Sequence, residues 1–148
     1  MSGPGQIGIH GPTWNGSGGY TLQVHASVTD PADGFTYYFG NQVRNLTNGA
    51  TFNKIYIRKA GRINIAELIV SIFGGLGTNE AVSIYVRLNN TTDYLIGAGS
   101  FDAVERVFSN TALGVPLIIG DYVEIKVVCP VWVTNPTTVY IAGYLLVE

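Results

Sequence analysis

Charge is scarce in this chain of 148 residues. Only 12% of positions are Asp, Glu, Lys or Arg, about half of the roughly 25% of an ordinary soluble domain. The formal net charge is −2, with eight Lys and Arg against ten Asp and Glu. Phosphate-backbone binding needs clustered cations, so a nucleic-acid partner is excluded on this composition. Cys129 is the only cysteine, so no intrachain disulfide can form, and its simplest reading is a small buried hydrophobe in a strand. No apolar run is long enough to cross a bilayer; the longest candidate, residues 63–73, is short and contains Asn64 and Glu67. The first six residues have neither a basic region nor an apolar stretch, so no secretory signal is read there. The two histidines, His10 and His25, stand far apart in sequence.

What is present is apolar and rich in rings. Hydrophobic residues make up 47% of the chain, with nine Tyr, six Phe and two Trp. The length suits one domain with a real core. With so few charges, either Thr, Asn, Ser, Gly and Tyr cover the surface or part of it is buried in an oligomer.

Residues 1–19 stand apart. Gly3, Gly5, Gly8, Gly11, Gly16, Gly18 and Gly19, with Pro4 and Pro12, leave no helix or strand period. This segment reads as an extended arm that could reach roughly 60 Å at about 3.3 Å per residue. Ile7, Ile9 and Trp14 suit an arm that docks on a neighbour; a frayed terminus is the alternative.

Residues 20–148 read as one domain of short strands. Residues 20–28 alternate and are rich in β formers. Asp30 to Gly34 is turn chemistry, and residues 35–39 are a second strand. Residues 52–58 predict a third strand, with Ile55 and Ile57 on one face and Lys54, Tyr56 and Arg58 on the other. Further strands are predicted over 62–73, 81–88, 94–98, 106–109, 113–118, 122–128 and 138–147, with a hairpin loop over Asn89 to Asp93 and a turn at Gly120-Asp121. Only residues 102–107 have a weak helical look. Eight or more short strands with turns every eight to twelve residues imply an all-β sandwich or barrel.

The search for chemistry returns little. No Cys/His or carboxylate cluster has metal-ligand spacing. Asp30 and Asp33 flank a turn, but the alternating oxygen ligands of a calcium loop are absent. Glu67 interrupts an apolar strand, which marks a buried acid, a partner for Arg62 or Arg87, or an oligomer interface. Gly74-Gly75-Leu76-Gly77 lacks the following Lys-Ser/Thr and helix of a phosphate loop. Catalytic, cofactor-binding and metal residues are therefore none, and no enzyme activity is expected. Tyr37, Tyr38 and Phe39 run consecutively, so both faces of one strand carry rings. Exposed Tyr is typical of interfaces and of sugar-binding surfaces.

The second half carries a family resemblance. Residues 117–127, with Gly120-Asp121 entering a strand, and residues 139–146, with Gly143-Tyr144-Leu145 near their end, resemble the closing strands of C1q-like domains. Lys59-Ala60-Gly61-Arg62-Ile63 resembles that family's entry into a long apolar strand, and residues 81–90 resemble its strand and hairpin. The resemblance spans roughly residues 52–147. It departs from the family in lacking the Pro before Gly61 and the aromatic after it. It implies a C1q/TNF-like jelly-roll sandwich assembled as a homotrimer, whose closed symmetry would hide apolar surface. The Asn/Thr/Gly-rich stretches 107–113 and 132–138 also resemble bacteriophage virion proteins.

The resulting expectation is a virion structural protein: a trimeric capsid decoration or cement protein, made in the host cytoplasm and bound to the major capsid protein or other virion proteins. The alternative is the receptor-binding head of a tail fibre or spike that recognises a host glycan or protein. A cellular C1q-like or lectin-like module and an enzyme rank behind these. No membrane partner is expected. The expected protein-interface residues are Ile7, Ile9 and Trp14 on the arm, and Tyr37, Tyr38, Tyr140 and Tyr144 in the domain.

Overall fold

The molecule is described here from a computed structural model, over residues 18–41 and 53–148. Ten strands form there: β1 (Tyr20–Thr29), β2 (Thr36–Phe39), β3 (Ile55–Tyr56), β4 (Gly61–Phe73), β5 (Ala81–Leu88), β6 (Thr92–Ser100), β7 (Glu105–Asn110), β8 (Val115–Leu117), β9 (Tyr122–Val128) and β10 (Thr138–Val147). Strand propensity is high in each, but pairing decides where they end. β1, β5 and β10 alternate between inward and outward residues, as strands with one face on a core must.

The strands form two antiparallel sheets of five. The first sheet runs β1-β10-β4-β7, with β8 also paired to β4; the second runs β2-β9-β5-β6, with β3 also paired to β9. The pairing is nested: β1 with β10, β3 with β9, β4 with β7, β5 with β6. A long hairpin folded over itself in this way is a jelly roll, in which successive pairs alternate between the two sheets of a sandwich. The chain is an all-β sandwich with this connectivity.

The core lies between the sheets. Val24, Ile63, Leu68, Val70, Ile141 and Leu145 come from the first sheet; Phe39, Val82, Ile84, Ile125 and Val127 come from the second. Burying each such side chain contributes roughly 1.5–3 kcal/mol. At one end Phe101 closes the sandwich, edge-on to Phe108 and stacked at a tilt near Trp132. Cys129, just past β9, is buried in this core, as its sequence context predicted.

Two local expectations are corrected. The strand predicted over 52–58 reduces to Ile55 and Tyr56 among the described residues. Beyond Tyr56 the backbone leaves the ladder to close a turn, Ile57 N–H donating to the Asp121 carbonyl and Gly120 N–H to the Ile57 carbonyl. Ile55 and Ile57 are still buried and Tyr56 and Arg58 exposed, as expected. Residues 102–107, read as weakly helical, form no helix; Asp102 and Arg106, four apart, form an ion pair at 3.0 Å. They do so across a tight bend that leads into β7, because pairing with β4 outweighs local preference.

Turn chemistry matches the backbone. Asn89 and Asn90 both have positive φ, 53° and 58°, the geometry that joins β5 to β6 with the twist of its strands. Gly120 sits at φ 97°, where a side chain would be strained, and Asp121 caps the turn by accepting from Ile118 N–H at 2.9 Å. Gly143 is required for a different reason: β10 and β4 approach so closely there that a Cβ would collide with the Glu67 carbonyl. Gly143→Ala is expected to cost about 1–3 kcal/mol, read as a lowered urea midpoint with an unchanged slope; a neutral result would mean that the two strands can separate without loss.

Candidate assembly face

The outer face of an antiparallel sheet is ordinarily polar. The first sheet breaks this rule at its centre. On β10, Tyr140, Ala142 and Tyr144 point outward; on β4, Ile69 and Phe73 do; on β7, Val107 does. The register puts them in rows: Ala142 beside Ile69 beside Val107, Tyr140 beside Ser71, Tyr144 beside Glu67, Thr138 beside Phe73. Phe73 is 72% exposed, Val107 56% and Tyr140 49%. Contiguous apolar surface of this kind is unusual on a free domain, which makes this face the candidate for an interface. His25 and Gln23 continue the face onto β1, opposite Ala142 and Tyr144.

Glu67 lies half-buried within this face. The partners expected for it from sequence are engaged elsewhere. Arg62 donates to the Gly114 carbonyl, and Arg87 lies on the other sheet, paired with Asp93.

The outer face of the second sheet differs in kind. Asp93 sits between two cations, taking both oxygens to Arg87 Nη1 at 3.0 and 3.2 Å and Oδ2 to Lys126 Nζ at 2.6 Å. The same cations lie near aromatic rings, Arg87 at 5.9 Å from the centre of Tyr38 and Lys126 at 5.4 Å from that of Tyr85. Lys54 approaches Tyr122 at 4.6 Å. Charges and rings here meet one another within the domain, with Leu95 and Tyr56 open to solvent on the same sheet.

Among these groups is a carboxylate that the strand pattern hides. Glu124 alternates with Val123 and Ile125 and should be solvated, yet it is fully buried. Its Oε1 accepts from Asn53 N–H at 3.4 Å, and its Oε2 has no partner among the described residues. Burial pushes the Glu124 carboxyl above its ordinary value, while the Asn53 N–H and the Arg87 and Lys54 charges pull the other way. Burial likewise pushes the Cys129 thiol up to about 12, which makes it inert as a nucleophile.

The residues expected at an interface separate. Tyr140 and Tyr144 lie on the apolar face of the first sheet. Tyr38 lies on the polar face of the second, under Arg87. Tyr37 is buried within the domain, its hydroxyl accepting from Ala32 N–H at 2.9 Å, so its ring packs in the core rather than against a neighbour. Ile7, Ile9 and Trp14 lie outside the described residues. The strongest members of the face that the sequence reading did not single out are Ile69, Phe73 and Val107. The signal was there in the unbroken run from Leu68 to Val70 and on to Phe73, since a strand apolar on both faces needs both covered. Asp33 is occupied in accepting from Trp132 N–H at 3.2 Å, and no group of three or more His, Cys, Asp or Glu among the described residues could hold a metal ion.

The sequence matches no protein-family model. No curated protein matches it either. Among solved structures, it is similar to one described as "CBM4 structure and function", at 11% identity and a TM-score of 0.43, covering 90% of this chain and 80% of that one. It is also similar to Desmodium yellow mottle tymovirus, at 9% identity and a TM-score of 0.28, covering 97% of this chain and 95% of that one. A third is empty-head turnip yellow mosaic virus, at 8% identity and a TM-score of 0.31, covering 99% and 90%.

The raised Glu124 acid has a signed consequence for stability. A group whose folded value lies above its unfolded one stabilises the fold below the unfolded value and loses that contribution as pH rises through the folded value. From pH 4.5, the ordinary value, upward, the wild type is therefore expected to lose stability relative to Glu124→Gln. Urea unfolding of both proteins across that interval checks it; parallel pH profiles would mean that Glu124 ionises without penalty.

Proposed function

We propose that this chain is a structural protein whose work is assembly, and that the outer face of its first sheet is the surface through which three copies pack. The observation that carries this reading is the apolar centre of that face, with Ile69, Phe73, Val107, Tyr140, Ala142 and Tyr144 outward on neighbouring strands. Closed threefold symmetry would hide the face on every copy without leaving an open edge. The low charged fraction fits the same reading, since an obligate interface is as apolar as a core. The C1q/TNF-like resemblance of residues 52–147 supports a trimer over other closed states.

Within that reading the proposed setting is a virion, where the trimer acts as a capsid decoration or cement protein and residues 1–19 clasp a neighbouring subunit. A second reading, the receptor-binding head of a tail fibre or spike, draws on the second sheet. Its outer face combines Tyr38, Tyr85, Arg87, Asp93 and Lys126, a mixture of rings and hydrogen-bonding charges suited to a glycan.

Native mass spectrometry of the wild type is expected to give the mass of three chains. Ile69→Asp, at a position already open to solvent in the single chain, is expected to give folded monomers. A monomeric wild type, or an Ile69→Asp trimer, would sink the assembly reading. Deleting residues 1–19 is expected to leave the trimer folded and to weaken co-sedimentation with empty capsids; undiminished attachment would rule out the clasp and turn attention to host-cell binding.

A further inference from the structure

The two ends of the sandwich are unlike each other. One end is built from the β1–β2, β4–β5, β6–β7 and β9–β10 loops, which are bound into one cap. Asp30 N–H donates to the Thr137 carbonyl at 2.6 Å, Gly34 N–H to Pro130 at 2.9 Å, Gly77 N–H to Phe101 at 2.8 Å and Thr78 N–H to Thr134 at 3.0 Å. Asn135 Nδ2 donates to the Pro31 carbonyl at 2.7 Å. Its tips are Val131 and Val133, 71% and 83% exposed, and Val104 and Phe35 are exposed on the same cap. The charges around these tips are Asp30, Asp33, Glu80, Asp102 and Glu105, against Arg106.

The opposite end has the complementary character. Arg58, Lys59 and Arg62 gather where β3 leads into β4. Two carboxylates share this end, Asp121 capping its own turn and accepting from Asn89 Nδ2 and Glu148 accepting from Asn64 Nδ2, so three cations stand against two acids here, whereas five acids stand against one cation at the cap. Ile118 and Ile119 project there into solvent, and a recess of about 250 Å3 opens between Gly18, Gly19, Tyr20, Arg58 and Lys59. That is room for an aliphatic side chain.

The geometry points to a second contact between copies of this chain, head to tail: the acid-rimmed valine tip of one copy seats on the basic end of the next. Apolar surface meets apolar surface at its centre, and the flanking charges are of opposite sign, which fixes the polarity and disfavours tip-to-tip pairing. The contact uses different patches on the two partners, so it is heterologous and stacks assembled units along the strand direction without closing. It shares no residue with the apolar face of the first sheet, and it stands whether or not that face forms a trimer.

Sedimentation velocity of the full chain tests it. At about 10 mM salt, where the screening length is about 30 Å, species in whole multiples of the sheet-face unit are expected; at about 1 M salt, where it is about 3 Å, they are expected to dissociate. Val133→Asp and the double variant Arg58→Glu/Lys59→Glu each remove one end, and each alone is expected to weaken stacking at least tenfold while keeping the sheet-face unit. Mixed, they retain one competent end each, so the mixture should form pairs of units and nothing larger. Ile69→Asp, which is expected to split the sheet-face unit, should leave stacking of single chains intact. The inference is overturned if the wild type shows no stacking at low salt, if stacking survives both end variants, or if the mixture fails to form pairs.

Discussion

The pairing of β10 with β4 is the constraint on which the other features rest. It sets β10 along the first sheet's longest strand, from Thr138 opposite Phe73 to Val147 opposite Ile63. Inward, the pair supplies Ile63, Leu68, Val70, Ile141 and Leu145 to the core. Outward, the same register aligns Tyr140, Ala142 and Tyr144 with Ser71, Ile69 and Glu67. Because side chains alternate with period two, a slip by one residue would exchange core and face at once. Gly143, which has no room for a Cβ against β4, and the irregularity at Leu146/Val147 both oppose such a slip.

The two outer faces then divide the surface chemistry between them. The second sheet balances its charges internally: Asp93 between Arg87 and Lys126, each cation beside a tyrosine ring. The first sheet leaves its apolar centre exposed among the described residues. With so little charge in the chain, concentrating several of the ion pairs on one face leaves the other with almost none. The two ends take the remaining contrast, acidic at the capped loops and basic where β3 meets β4.

Much of the strand inventory was legible because each strand has a local signature. β1, β5 and β9 alternate, β4 is a long apolar run, and the turns at Asn89-Asn90 and Gly120 carry residues that tolerate their positive φ. Partner choice is a tertiary matter, and where it intervened the local reading faltered. Residues 102–107 suggested a helix, and the demand of β4 for an edge partner made Glu105–Asn110 a strand. Tyr37 and Tyr38 are adjacent and chemically alike, and only the sheet decides that the first enters the core and the second meets Arg87. Glu124 has the strand pattern of a solvated acid, and neither its burial nor its contact with the Asn53 N–H, distant in sequence, is legible locally. Tyr140 and Tyr144 were found because their spacing of four puts both on one strand face; Ile69 and Phe73 were not, because an apolar residue in an apolar run does not announce which side it takes.

The nested pairing also sets a timetable. β1 finds its ladder partner in β10, and β4 needs β10 to complete its inner edge. A ribosome making this protein therefore holds β1 through β9 with the first sheet open, however long the pause. The apolar outer face, which runs across β4, β7 and β10, comes into being only when β10 has emerged. On the proposed reading, nascent chains side by side on one messenger carry no finished assembly face, and association through it would begin only among chains whose synthesis has passed that strand.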